Sequence, residues 1–135
     1  MANRKVLLVD DEADILKVIG SRIKSWGYEL VEAINGKEAV KLVRENKADL
    51  VILDYMLPDM DGVVVLKEIR KISKKIPVIM FTAYPNPTSM HDADKLGISA
   101  YVAKISVYSD TQSLLKTAVD LAFKSLDKKE DKNEG

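Results

Sequence analysis

No cysteine occurs among the 135 residues, and histidine occurs once, as His91. Disulfide cross-links, thiolate catalysis and cysteine-ligated metals are thereby excluded. The absence of cysteine suits a reducing compartment. A single histidine early in a surface helix reads as polar surface rather than as a phospho-relay group. Charge of one sign is also lacking: 21 Lys plus Arg stand against 21 Asp plus Glu, a formal net charge of +0. Nothing in that balance draws the chain to nucleic acid or to an anionic membrane. Long hydrophobic runs are missing as well. The first apolar run, Val6-Leu7-Leu8-Val9, is too short for a signal-peptide core, and no stretch approaches the length that spans a bilayer. The expectation is a soluble, cytoplasmic chain with no direct nucleic-acid partner and no membrane insertion.

What is present is 47% hydrophobic residues, enough to close a core and to exclude wholesale disorder. A chain of this length makes one domain, expected over residues 1–126. Residues 127–135 are charged and hold no apolar side chain, which reads as a solvated tail or linker stub.

The apolar pattern alternates between strand and helix lengths. Val6–Val9 stops at Asp10-Asp11. An apolar stripe of Leu16, Ile19, Ile23 and Trp26 predicts a helix, with Gly27 as its stop. Residues 28–33 read as a partly alternating strand, suited to a sheet edge. Asn35-Gly36 is a turn signal, and a helix follows over 37–45. Leu50-Val51-Ile52-Leu53 is apolar throughout, as a strand buried on both faces would be, and it ends at Asp54. Asp61 is placed to cap a helix bearing Val64, Val65, Ile69 and Ile72. Residues 77–81 form a fourth strand, ending at Thr82-Ala83. Asn86 can cap a helix with Pro87 at its first position, running to Leu96 and stopping at Gly97. Residues 98–103 make a fifth strand closing at Lys104. Ser109 or Asp110 caps a last helix carrying Leu115, Ala118, Val119, Ala122 and Leu126. Five strands alternating with five helices predict an α/β fold, a doubly wound parallel sheet with right-handed crossovers. The strand count fits the five-stranded flavodoxin-like order 2-1-3-4-5.

In such a sheet the carboxyl ends of the strands share one edge, where ligands bind. That edge gathers Asp10 and Asp11, Asp54, Thr82 and Lys104. Three carboxylates repel one another unless a cation compensates. Three negative charges, one ammonium and one divalent ion sum to zero. An oxygen-only donor set suits Mg²⁺, which accepts a phosphate as co-ligand. The ion would lie on Asp11 and Asp54, with the Met56 carbonyl as a neutral oxygen. Asp54 is then a candidate nucleophile for phosphoryl transfer, forming an aspartyl phosphate. Lys104 would neutralise the phosphoryl group, and Thr82 would donate to it. Each residue also has a plainer role, as strand stop, helix cap or surface charge. Their joint placement at four strand ends favours the chemical one. Asp59 and Asp61 need no more than turn and cap roles, and Trp26 reads as core or its edge.

These residues resemble the receiver domain of two-component response regulators. The matching segments are Val6-Leu-Leu-Val-Asp-Asp-Glu12, Asp54-Tyr-Met-Leu-Pro-Asp-Met-Asp-Gly62, Phe81-Thr-Ala83, Ala93-Asp-Lys-Leu-Gly97 and Tyr101-Val-Ala-Lys104. Together they cover roughly residues 4–126, in the pattern of a stand-alone receiver of the chemotaxis or sporulation type. The resemblance implies that Asp54 takes phosphate from a phosphohistidine on a sensor histidine kinase or histidine phosphotransfer protein. It implies that Asp10 and Asp11 hold Mg²⁺, with Lys104 and Thr82 on the phosphoryl oxygens. It also implies a switch, in which Thr82 moves toward the phosphoryl group and Tyr101 turns inward behind it. The change is displayed on the face of the fourth helix, fifth strand and fifth helix. Such a protein is a signalling module that catalyses only its own phosphorylation and dephosphorylation, with protein–protein contact as its output.

The chain departs from the family where Ile105 follows Lys104 in place of proline. A cis bond before a non-proline residue costs about 2.5–4 kcal/mol, so a trans Lys104–Ile105 bond and a reshaped loop through Tyr108 are expected. Pro85 and Pro87 stiffen the loop after Thr82, and a bulky Tyr84 is expected to slow hydrolysis. The alternative function is a Mg²⁺-dependent phosphohydrolase using Asp54. It lacks an evident second acid–base group at Met56 and a cap domain. A degenerate, partner-binding receiver is opposed by the intact site residues. A nucleotide-binding protein is opposed by Asp10-Asp11 standing where a glycine-rich loop would be.

Overall fold

The computed structural model describes residues 3–83, 86–104 and 109–134. Five strands, β1 (Lys5–Val9), β2 (Glu29–Ala33), β3 (Leu50–Leu53), β4 (Val78–Thr82) and β5 (Ala100–Ala103), form one parallel sheet in the order β2-β1-β3-β4-β5. The helices are α1 (Ala13–Ser25), α2 (Gly36–Arg44), α3 (Gly62–Ile72), α4 (Pro87–Lys95) and α5 (Ser109–Glu134). The expected doubly wound architecture and strand order are both present.

The pleat divides the core into two halves. Val6, Leu8, Leu50, Ile52, Ile79, Phe81 and Val102 pack against α1 and α5. Leu7, Val9, Val51, Leu53, Val78 and Met80 pack against α2 and α3, with Ala93 of α4 joining them. The central strands β1, β3 and β4 are apolar on both faces because both faces are covered. β2, at the edge, is partly exposed.

Helix ends follow local chemistry. Asn35 accepts from the Glu38 amide, Asp61 from Val64, and Asn86 from Thr88 and Ser89. Gly27 and Gly97 take positive φ after α1 and α4, which spares a side chain the left-handed strain. Arg70, half-buried on α3, donates to the carbonyls of Ser73, Ile76, Leu96 and Gly97. It thereby satisfies backbone acceptors at the ends of both α3 and α4.

Two helical expectations, for α3 and α5, are corrected, and the one for α1 is sharpened. In α3 the buried face is Val63, Val65, Leu66 and Ile69, whereas Val64 is 41% exposed and Ile72 is also turned outward. Four apolar residues in a row admit more than one phase, and packing on the sheet selects one. In α1 the buried residues are Ile15, Ile19, Gly20 and Ile23. Leu16 and Trp26 lie at the edge of that cluster. In α5, Phe123 joins Leu115, Val119 and Ala122 in the core, and the helix runs on to Glu134 through the charged segment. The expected boundary at Leu126 falls inside it. Lys, Glu and Asp extend a helix already nucleated by packing, and no glycine or proline stops it before Gly135.

Candidate functional site

Sheet register builds the site. Val9 pairs with Leu53 and the Asp54 amide donates to the Val9 carbonyl at 3.1 Å, so Asp10 and Asp54 leave adjacent strands side by side. Thr82 pairs with Ala103, and the Lys104 amide donates to the Thr82 carbonyl at 2.7 Å. Lys104 therefore enters from the strand beyond.

Its Nζ lies 2.5 Å from Asp10 Oδ2 and 3.2 Å from Asp54 Oδ2. Glu12 Oε1 is 4.0 Å away. Asp10 is 1% exposed and Asp54 5%. The Lys104 ammonium lies over the Phe81 ring, with Nζ 5.5 Å from its centroid. Carboxylate oxygens of Asp10, Glu12 and Asp54 all lie within 4.8 Å of one another. The second oxygen of Asp10 accepts from the Glu12 amide at 2.9 Å, and Asp54 Oδ1 accepts from the Met56 amide at 3.4 Å.

The electrostatics are unbalanced. Three carboxylates and one ammonium leave a formal charge of about −2. Burial raises the Asp54 pKa, and Asp10 adds to the rise against the opposing pull of Lys104 and the Met56 amide. Burial alone would lower the Lys104 pKa, but Asp10 and Asp54 outweigh it, and the net shift is upward. The cluster is thus a set of oxygen donors, Asp10 and Asp54 buried and Glu12 exposed, with an excess of negative charge. Those are the properties that recruit a hard divalent cation.

The loop after Asp54 is tightly closed. The Gly62 amide donates to the Tyr55 carbonyl at 2.6 Å, and Met56 bridges to Asp61. A Cβ on Gly62 would sit 2.8 Å from both the Asp54 carbonyl oxygen and the Tyr55 Cα. Glycine is required here for close backbone approach. Asp61 caps α3 as expected. Asp59 does more than shape a turn: its carboxylate accepts from the Gly36 and Lys37 amides at 2.8 and 2.9 Å.

The structure brings Asp10, Asp54 and Lys104 together. Thr82 is fully buried one strand away, with the parity of Val78 and Met80. Tyr101 packs against the same half of the core. Its hydroxyl is buried and, among the described residues, has no hydrogen-bond partner. Burial pushes the Tyr101 pKa up. Asp11 is exposed and stands outside the carboxylate group, where Glu12 takes the third place. The sequence signal for Glu12 was its position two residues after a strand-terminal Asp10. Met56 is exposed at the rim, and His91 lies on the surface of α4. The expectations for Tyr84, Pro85 and the Lys104–Ile105 bond with its following loop lie outside the described residues.

Residues 6–120 match the sequence model of the response regulator receiver domain. The chain belongs to that family. Among curated relatives, sporulation initiation phosphotransferase F of Bacillus subtilis is 36% identical over 104 residues, covering 77% of this receiver and 84% of the relative. The transcriptional regulatory protein ZraR of Escherichia coli is 33% identical over 117 residues, 87% of this receiver but 26% of that protein. The receiver spans 57% of the alkaline phosphatase synthesis regulator PhoP of B. subtilis, at 32% identity. Among solved structures, the receiver domain of a putative Luxo repressor protein from Vibrio parahaemolyticus superposes with TM-score 0.86 at 29% identity, covering 99% of each chain. The receiver domain of the Pseudomonas aeruginosa sensor kinase PA1611, solved with a magnesium ion coordinated in its active site cleft, gives TM-score 0.76 at 25% identity over 90% of this receiver and 98% of that chain. Receiver domains are signalling modules, and no helix among the described residues is long and apolar enough to cross a membrane.

Proposed function

We propose that this receiver accepts a phosphoryl group on Asp54 from a phosphohistidine, in a Mg²⁺-dependent reaction, and signals through protein–protein contact. The observation that carries the reading is a buried Asp54 held 3.2 Å from Lys104 in a site with surplus negative charge. Asp10, Asp54 and either Asp11 or Glu12 would hold the ion, with the Met56 carbonyl as a neutral oxygen. Bound Mg²⁺ would supply the positive charge that lets an anionic phosphoryl group approach three carboxylates.

The protein's own part is positioning. A carboxylate oxygen of Asp54 forms the new bond to phosphorus as the phosphorus–nitrogen bond of the donor breaks, and the leaving imidazole nitrogen takes a proton. Lys104 trades its contact with Asp54 for the incoming phosphoryl oxygens, and Asp10 keeps its ammonium in reach. Thr82 donates to the phosphoryl group, and Tyr101 fills the space behind Thr82. The switch is read out on α4, β5 and α5. The donor is a sensor histidine kinase or histidine phosphotransfer protein, and the setting is the cytoplasm. The name of the sporulation phosphotransferase relative supports this class of partner.

Intact mass after incubation with Mg²⁺ and acetyl phosphate tests the proposal. A single phosphate adduct is expected, absent from Asp54→Ala and absent without Mg²⁺. No adduct, even with a phosphorylated donor protein, overturns it.

A further inference from the structure

Asp59 stands five residues past Asp54, outside the carboxylate cluster. It lies between Met56 and Asp61, which bridge to each other, and so occupies the tip of the loop joining β3 to α3. Its two carboxylate oxygens each accept one amide, from Gly36 and Lys37, at 2.8 and 2.9 Å. Those are the first two amides of α2, which have no partner within their own helix. The next, Glu38, is taken by Asn35, and Ala39 donates to the Asn35 carbonyl. The start of α2 thus has two separate caps, one local and one from another loop.

Met60 reinforces the link. A Cβ on Gly36 would lie 2.5 Å from Met60 Cγ and 2.8 Å from its Sδ, so the Met60 side chain lies directly on the Gly36 backbone. The base of the loop is closed on itself by Gly62 and Tyr55, which leaves Asp59 and Met60 to fasten the tip to the body. Burial works against the charged form of Asp59, yet the Gly36 and Lys37 amides, with those of Asp59 and Met60, hold its carboxyl below the usual range. The carboxylate therefore keeps both bonds at neutral pH.

We propose that Asp59 is a positioning residue for the phosphoacceptor site: its two bonds to α2 strap down the loop that carries Asp54 and the Met56 backbone. The proposal rests on the function inferred above and deepens it. Asp59 touches neither phosphate nor metal. It acts by limiting the motion of Met56, whose amide contacts Asp54 at 3.4 Å and whose carbonyl is the neutral oxygen of the site. A residue that merely capped α2 would change stability and nothing else.

The test compares the full chain with Asp59→Ala, Asp59→Asn and Asn35→Ala. Mg²⁺ affinity is measured by titration calorimetry, phosphorylation by acetyl phosphate and intact mass, and stability by urea unfolding. Partners behind metal ligands typically shift affinity by about 10–100-fold; for Asp59→Ala, one step further out, a loss of roughly fivefold is expected. Asp59→Asn loses the same charge but keeps one acceptor, so its loss is smaller. Asn35→Ala removes the other cap of the same helix and leaves Mg²⁺ affinity unchanged. Equal losses in Asp59→Asn and Asp59→Ala would show that charge alone matters, and the strap is then wrong. It is also wrong if Asp59→Ala binds Mg²⁺ and takes phosphate as the wild type does. If the wild type itself takes no phosphate, the underlying function fails instead, and the two failures are distinct.

Discussion

Replacing Lys104 with methionine isolates the electrostatic imbalance of the site. Methionine keeps most of the apolar lysine stem and removes the ammonium. That ammonium sits 2.5 Å from Asp10 and 3.2 Å from Asp54, and all three side chains are at most 7% exposed. At an effective dielectric of about 20, each contact carries a gross attraction of roughly 5–7 kcal/mol, most of it offset by desolvation. Removing one partner of a buried pair costs about 3–5 kcal/mol, because the other charge is left unbalanced. A domain of this size holds about 5–15 kcal/mol, so the loss takes a sizeable share of its stability and lowers Tm by about 10–20 °C. The site charge falls from about −2 to about −3, so Mg²⁺ stabilises the variant more than the wild type. An ion at a hundred times its Kd contributes about 2.7 kcal/mol in a reference case. The pH dependence has a definite sign. The Lys104 pKa is raised in the fold, so its contribution is complete below the ordinary lysine value and fades only as pH rises through the folded one. Between about pH 4 and 8 the gap between variant and wild type therefore reports the carboxylates. It narrows as acid protonates Asp54, whose pKa the fold also raises. Urea unfolding with and without Mg²⁺ measures all of this. A variant as stable as the wild type in metal-free buffer, or one that Mg²⁺ stabilises less, refutes the reasoning.

Further substitutions test other parts of the site and its frame. Asp54→Asn is expected to raise metal-free stability: with its folded pKa raised, Asp54 favours the fold only at low pH and disfavours it once ionised, and a lower Tm at pH 7 would contradict that sign. Gly62→Ala drives a Cβ against the Asp54 carbonyl oxygen and Tyr55 Cα; a cost of about 1–3 kcal/mol and slower phosphorylation by acetyl phosphate are expected in urea unfolding and mass-resolved time courses. Arg70→Met leaves four carbonyls at the ends of α3 and α4 without their donor; a loss of about 3 kcal/mol or more should appear in urea unfolding, with faster amide exchange at Leu96 and Gly97.

The fold was legible because each strand is a short apolar run ending in a polar residue, and because helix signals fill every gap. The helix phases were less so. Val63-Val64-Val65-Leu66 offers consecutive apolar residues, and only the sheet beneath decides that Val64 faces outward. The end of α5 was hidden for the opposite reason. Its charged residues give no apolar pattern, although their propensity continues a helix that Leu115, Val119 and Phe123 have already anchored. In the site, Asp10, Asp54 and Lys104 were readable as strand terminators, since a terminator's position is fixed by the strand it ends. Asp11 and Glu12 lie one and two residues beyond that fixed point. Which of them turns toward Asp54 depends on how the chain enters α1, where the Glu12 amide donates to Asp10. Asp59 was undervalued because its partners are the backbone amides of a helix 22 and 23 residues earlier, a pairing no local motif announces.

The frustration at the strand ends is a property of the sheet and not of any one loop. Pairing Val9 with Leu53 obliges Asp10 and Asp54 to emerge together, and neither can retreat without shifting a strand whose apolar residues are wholly buried. A register slip of one residue would send every side chain of that strand to the opposite face. The core therefore holds the carboxylates together against their repulsion, and Lys104 balances only part of it. A ligand that brings positive charge relieves a strain the fold has already absorbed, so its binding is linked to global stability and not only to local order. A change in the charge on Asp54 alters what Lys104 must neutralise, and Lys104 is joined through its own amide to Thr82 on the strand that leads to α4. Asp54 and Thr82 are thus both bonded to Lys104, one through its ammonium and the other through its backbone amide.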